Sequence, residues 1–346
     1  MRGALSWSLA MAQLAVGPTG AALSAEPEQL TLFGGGVDLR SLRLERAALA
    51  AARRSPATVR AYRSDLADFS AWCDAAGKSA LPASADTLTC YLISQARLGR
   101  LPSTLARRVT AIREGHTSAG LASPVTADVL EVLAGLRRRL GVAPRRAKAA
   151  VSVAELRAML AALDGLPPAL AARDRALLLV GFASGLRRSE LAALDLADVS
   201  IVRQGVVLRV RRSKTDQSGK GREVGVHKGR RLATCPRYAL DRWIVERGSW
   251  PGALFCHVGP VGRVDHARIA GQSVAAAVKA AARRAGLDPA RYGGHSLRAG
   301  LATAAAELGR DGLAIIGRTG HTTAAMVERY VRHGSLFAVD LLAGAL

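Results

Sequence analysis

Apolar positions recur at helical spacing through most of the chain and alternate strand-like over only one short stretch. In SPATVRAYRSDLADFSAWCDAAG, Val59, Tyr62, Leu66, Phe69 and Cys73 fall three or four residues apart, the period of one helix face. Ser55 is a capping residue, Pro56 takes the first helical position and Gly77 supplies a stop. Arg60 and Arg63 fall off the apolar stripe. Further helices are predicted over about 84–98, from Ser103, and over about 126–140. In the third, Leu105, Val109 and Ile112 face inward and Arg107, Arg108 and Arg113 point out. In the fourth, Val129, Leu133, Leu136 and Leu140 face inward. These four make an all-helical domain over 51–140 with basic outer faces.

The segment RRRLGVAPRRAK, 137–148, holds six Lys or Arg and no acid, and Gly141 and Pro144 break it. It reads as a basic linker over 141–150, with Arg145 and Arg146 suited to a phosphate backbone. A second domain over 151–346 opens on Ser152 and Glu155, which form a capping box for a helix to about 163. A long helix over about 167–184 ends at Gly185, and GLRRSELAALDLADV is a helix start followed by a turn. VVLRVRRSKTD and GREVGVH alternate around DQSGKG, which predicts one small antiparallel hairpin. From 236 onward the pattern is helical again. Residues 1–50 are rich in Gly, Ala and Ser until LRLERAALAAARR, near which order is expected to begin, and read as a largely disordered N-terminal extension. The signal-like run after Arg2 is broken by Ser6, Ser8 and Gln13, and Met11 is a second possible start. The fold class expected is mainly α with a small antiparallel β-sheet, in two domains.

Charge changes the picture. Lys and Arg total 49 against 27 acids in 346 residues, a net charge of +22. Such an excess, spread along the chain, points to a polyanionic partner, most often nucleic acid. Cys73, Cys90, Cys235 and Cys256 form no CxxC pair, so a zinc ribbon is not expected and the thiols read as reduced, in a cytoplasmic protein. No run approaches the roughly 18 apolar residues of a membrane helix.

Three short motifs carry candidate chemistry. In HSLRAG, 295–300, His295 and Arg298 are three apart on one helix face behind Gly293 and Gly294, at a helix start that favours anions. In GLRRSEL, 185–191, Arg187 follows a glycine turn and Glu190 is placed to pair with it. In TGHTTAAMVERY, 319–330, His321 sits in a turn and Tyr330 follows nine residues later, where it is either a core residue or a nucleophile. Each motif alone also has an ordinary structural reading.

Taken in order, GLRRSEL, SKTDQ, HSLRAG, TGH and Tyr330 resemble the tyrosine recombinase or phage integrase family, over roughly residues 50–346. The resemblance implies a two-domain DNA clamp, a helical core-binding domain plus an α+β catalytic domain. It implies site-specific cutting and rejoining of DNA, in integration, excision or resolution, through a 3′-phosphotyrosyl link on Tyr330. Arg187 and Arg298 would clamp the non-bridging oxygens, His321 would donate to the same phosphate, and His295 would act as general acid/base. A hairpin lysine would protonate the leaving 5′-oxygen. Lys214 is favoured for that role because it ends the first strand, and Lys220 in its glycine-flanked turn is the alternative. Arg107, Arg108, Arg145 and Arg146 are candidate DNA contacts. The implied partners are a double-stranded recombination site and further copies of the chain, a tetramer on DNA, with no membrane. No cofactor is implied, and the sequence has neither a GxxxxGK[ST] loop nor a carboxylate cluster for Mg²⁺. The apolar tail HGSLFAVDLLAGAL would dock on a neighbouring subunit or on its own domain. A non-catalytic DNA-holding relative and a type IB topoisomerase-like enzyme are the alternatives.

Overall fold

The computed structural model describes residues 29–32, 35–141, 148–213, 216 and 220–320. The chain divides into two compact units between Arg145 and Arg146. The first starts with an antiparallel pair, β1 (Gln29–Leu32) and β2 (Gly35–Asp38), followed by α1 (Leu39–Ala52). Ordered structure therefore begins inside the segment expected to be an unstructured extension. The helix is nucleated there by Asp38, whose Oδ1 accepts from the Arg40 and Ser41 amides at 3.0 and 3.1 Å.

Four helices follow: α2 (Pro56–Ala75), α3 (Ala85–Arg97), α4 (Pro102–Ser118) and α5 (Ala127–Leu140). Ser55 caps α2 by accepting from the Thr58 amide, with Pro56 at the first turn. The predicted stripe of Leu66, Phe69 and Cys73 is buried against Leu88, Leu105 and Ile112.

Arg108 corrects the sequence reading. It is 6 % exposed, and its guanidinium is gripped bidentately by Asp68 at 2.8 and 2.9 Å. Its Nη1 also donates to Tyr91 Oη and Gln95 Oε1. It is a buried arginine bonded within the helical unit, not the outward-pointing side chain that the sequence suggests. The helical period already places it there: residues 105, 108, 109 and 112 share one face. Two aspartates on α2, Asp65 and Asp68, supply the compensating charge. Arg107 remains partly exposed and pairs with Asp65 at 2.7 Å.

The second unit is α6 (Val153–Ala161), α7 (Pro168–Ser184), α8 (Arg188–Ala193), the sheet β3 (Val199–Val202), β4 (Gly205–Val210) and β5 (Arg222–His227), then α9 (Pro236–Arg247). After these come β6 (Cys256–Val258), β7 (Val264–Arg268), α10 (Gly271–Arg284), α11 (Ser296–Glu307) and α12 (Gly312–Thr319). The Ser152–Glu155 capping box forms in both directions, at 2.8 and 3.1 Å. Helix α7 buries Leu177, Leu178, Leu179 and Val180 in succession, as a helix enclosed on all sides must. The sheet is antiparallel in the order β3-β4-β5, with Val206 opposite Val226 and Leu208 opposite Val224 on its buried face. The pair β6-β7 is an element that the purely helical reading after 236 misses. Its strands have three and five residues, and β7 is largely exposed, so neither carries the alternation that marks a strand. No helix among the described residues is long and apolar enough to cross a membrane.

Candidate active site

The site grows from three chain turns in the second unit. Helix α7 ends at Gly185, in the left-handed region at φ 64°, where a Cβ would lie 2.7 Å from Leu301 Cδ2. Glycine is therefore required both for the backbone angle and for the close approach. The turn places Leu186 in the core and Arg187 at the N-cap of α8. Glu190, 3 % exposed, reaches back to the Arg187 amide at 3.0 Å and takes its Nη1 at 2.7 Å. A carboxylate at the third helical position thus holds both backbone and side chain of the arginine before it.

The second turn leads into α11. The Gly293 amide donates to Ser296 Oγ at 3.0 Å, and at Gly294 a Cβ would stand 2.8 Å from Arg188 Cβ. His295 is the exposed N-cap residue, whereas Arg298, one turn on, is 4 % exposed. The Arg298 Nη1 donates to the Gly185 carbonyl at 2.9 Å, across 113 residues of chain, and also to the Thr319 carbonyl.

The third turn is the end of α12, capped by Gly320 in the left-handed region at φ 63°. Helix C-termini leave carbonyls without intrahelical donors and carry partial negative charge. Here three successive carbonyls each receive a guanidinium. Arg222 Nη1 binds Arg318 O at 3.1 Å, Arg298 Nη1 binds Thr319 O, and Arg187 Nη2 binds Gly320 O at 2.9 Å. Arg222 also donates to Glu190 Oε2 at 3.3 Å. Three cationic forks thus converge on one turn, with Glu190 as the buried carboxylate that pairs two of them. Such an excess of fixed positive charge, with planar donors, suits a phosphate.

The structure brings Arg187, Glu190 and Arg298 together, and places His295 at the head of the helix that carries Arg298. Lys214, His321, Tyr330, Arg145 and Arg146 lie outside the described residues. Strand β4 stops at Val210, four residues short of Lys214 rather than at it. The hairpin base is held by Arg211, which pairs with Asp195 and, at 2.6 Å, with Asp198. Lys220 is exposed, and its amide donates to Asp216 Oδ1 at 3.2 Å. Arg222 is the member that the motifs did not single out. Its signal is the two-residue period of β5, since 222, 224 and 226 share the inward face. Among the described residues no group of three or more His, Cys, Asp or Glu is placed to hold a metal ion.

Comparison with known proteins gives a consistent result. A model described as the phage integrase family matches residues 150–335, and one described as the phage integrase N-terminal SAM-like domain matches residues 46–119. An integrase/recombinase xerD homolog of Selenomonas ruminantium is 34% identical over 307 residues, covering 86% of this chain and 89% of that protein. Tyrosine recombinase XerD of Xanthomonas axonopodis pv. citri (strain 306) is 30% identical over 283 residues, covering 79% and 86%. The fold is similar to that of the XerH site-specific recombinase bound to palindromic difH substrate, with TM-score 0.59, 18% identity and coverage of 88% and 84%. It is also similar to a lambda integrase tetramer bound to a Holliday junction, with TM-score 0.55, 16% identity and coverage of 84% and 76%.

Proposed function

Because this chain belongs to the phage integrase family, we propose that it is a site-specific DNA recombinase that cuts and rejoins duplex DNA through a 3′-phosphotyrosyl link on Tyr330. The observation that carries this reading is the convergence of Arg187 and Arg298 on adjacent carbonyls, those of Gly320 and Thr319, immediately before His321 in the chain. Two arginines from distant segments, each in a motif that resembles the family's, meet at one turn.

The chemistry then follows from charge and proton accounting. The Tyr330 hydroxyl attacks the scissile phosphorus, a tyrosyl ester forms at the 3′ side, and the 5′-oxygen leaves. A phenol of pKa about 10 is almost entirely protonated at neutral pH, so its proton must be taken as attack proceeds, by His295. Negative charge builds on the non-bridging oxygens and meets Arg187, Arg298 and His321. Each such donor is worth roughly 10²–10³ in rate. The hairpin lysine, Lys214, gives a proton to the leaving 5′-oxygen. The new ester retains the energy of the old one, so rejoining needs no nucleotide hydrolysis. The helical unit and the α+β unit would grip the duplex as a clamp, with Arg145 and Arg146 against the backbone and Arg107 facing DNA. Four copies would assemble on the paired sites, with the apolar tail after Tyr330 packed on a neighbouring copy or on its own domain.

The test uses nicked duplexes that trap the covalent step, tiled across the DNA flanking the gene. Wild type should give a denaturation-resistant protein–DNA band and Tyr330→Phe none. Tight binding by wild type with no covalent product would favour the DNA-holding alternative. On a cleaved duplex, Lys214→Ala should abolish the band and Lys220→Ala should leave it, and the reverse pattern would reassign the acid.

A further inference from the structure

Only two of the three guanidinium groups that close on the end of α12 belong to the family pattern. The third, Arg222, opens β5 on the same inward face as Val224 and Val226. Its bonds go to the site rather than to the core beneath the sheet. Nη1 donates to the Arg318 carbonyl at 3.1 Å and Nη2 to Glu190 Oε2 at 3.3 Å. The planar head lies against Gly320, where a Cβ would come within 3.3 Å of Arg222 Cζ. Arg318 returns the contact, its Nη1 donating to the Gly225 carbonyl on β5. Strand and helix end are therefore tied in both directions. The Glu190 that takes Arg222 also holds Arg187.

We propose that Arg222 is a positioning residue for the strand-transfer reaction. It fixes the main chain at Gly320, from which His321 follows directly, and it locks that turn to the Arg187–Glu190 pair and to the strand that closes the lysine-bearing hairpin. The inference rests on the function proposed above. The fork geometry is what the role requires. One guanidinium spans a carbonyl and a carboxylate at once, whereas an ammonium offers a single point charge. Both terminal nitrogens of Arg222 have acceptors within the protein, so its fork ties the helix end to Glu190. A turn released from this hold moves its catalytic groups, and a displacement of about 1 Å lowers a rate by about 10²-fold.

The experiment uses full-length protein, with Arg222→Ala and Arg222→Lys beside wild type, on a nicked duplex that wild type cleaves. At saturating protein the single-turnover rate should fall by about 10²-fold for Arg222→Ala and by less for Arg222→Lys. Duplex affinity and its salt dependence should stay at wild-type values. Amide exchange across 312–320 should speed up in Arg222→Ala without DNA present. Wild-type cleavage by a folded Arg222→Ala overturns the proposal. So does a weaker affinity with a log–log salt slope reduced by about one, the mark of a lost phosphate contact. If Arg222→Ala does not fold, Arg222→Gln carries the same readouts, and wild-type cleavage by it overturns the proposal. If wild type links to no duplex, the function proposed above fails. The exchange readout still judges Arg222 in that case, and unchanged exchange at 312–320 overturns it.

Discussion

Replacing Glu190 by Gln keeps the side-chain shape and removes one buried negative charge between two arginines. The wild-type carboxylate accepts two good charge-assisted bonds, from the Arg187 amide at 3.0 Å and from Arg187 Nη1 at 2.7 Å, and a longer one from Arg222 at 3.3 Å. Bonds to a charged group contribute about 1.5–3 kcal/mol each. Glutamine retains one neutral acceptor and turns an NH₂ group towards a guanidinium donor. Breaking one partner of a buried ion pair costs about 3–5 kcal/mol. Arg187 and Arg222 are 13% and 25% exposed, so water recovers part of the loss, and about 3 kcal/mol is the expected cost. For a unit of this size, about 2–4 °C per kcal/mol applies, so the unfolding transition of the second unit should drop by about 6–12 °C. Calorimetry of the full-length protein reads that transition. A shift below about 2 °C would refute the reasoning, because it would mean that water screens Glu190 from both arginines.

Other outcomes follow from named contacts. Gly300→Ala should destabilise the second unit by about 3 kcal/mol, the upper end of the overpacking range. Its Cβ would stand 2.2 Å from the Val151 carbonyl and 2.6 Å from Phe182 Cε2, and a near-wild-type urea midpoint would contradict this. His116 is fully buried, its Nδ1 on the Ile112 carbonyl and its Nε2 accepting from the Ala83 amide; burial pushes its pKa below the ordinary imidazole value of about 6.5. The unfolded chain therefore takes the proton first. The contribution of His116 is full above about pH 6.5 and is lost as pH falls through the lower folded value. His116→Gln should remove that step from the pH dependence of unfolding of the first unit. Arg108→Ala should cost that unit about 2–3 kcal/mol, a buried pair discounted for the partial exposure of Asp68. The salt slope of DNA binding should not change, and a reduced slope would show that Arg108 reaches phosphate.

The local elements were legible from the chain because their causes are local. Ser55–Pro56, Ser152–Glu155 and Gly185 cap or stop helices through bonds to backbone a few residues away, and all three act as their spacing predicts. The ordered motifs around Arg187, Arg298 and Tyr330 also sufficed to indicate the family, since order along a chain is itself sequence information. The failures have physical reasons too. The charge of Arg108 suggests an outward position that its place on the helix does not give it, and only the fold shows that Asp68, 40 residues away, compensates its burial. The β6-β7 pair was missed because short, exposed strands carry no alternation. What only tertiary structure decided is the meeting of Arg187, Arg222 and Arg298 on three consecutive carbonyls of one turn. Those contacts join residues as far as 133 positions apart. A helix end with unsatisfied carbonyls attracts cations, but which cations arrive is set by how α8, β5 and α11 pack, and no local rule encodes that.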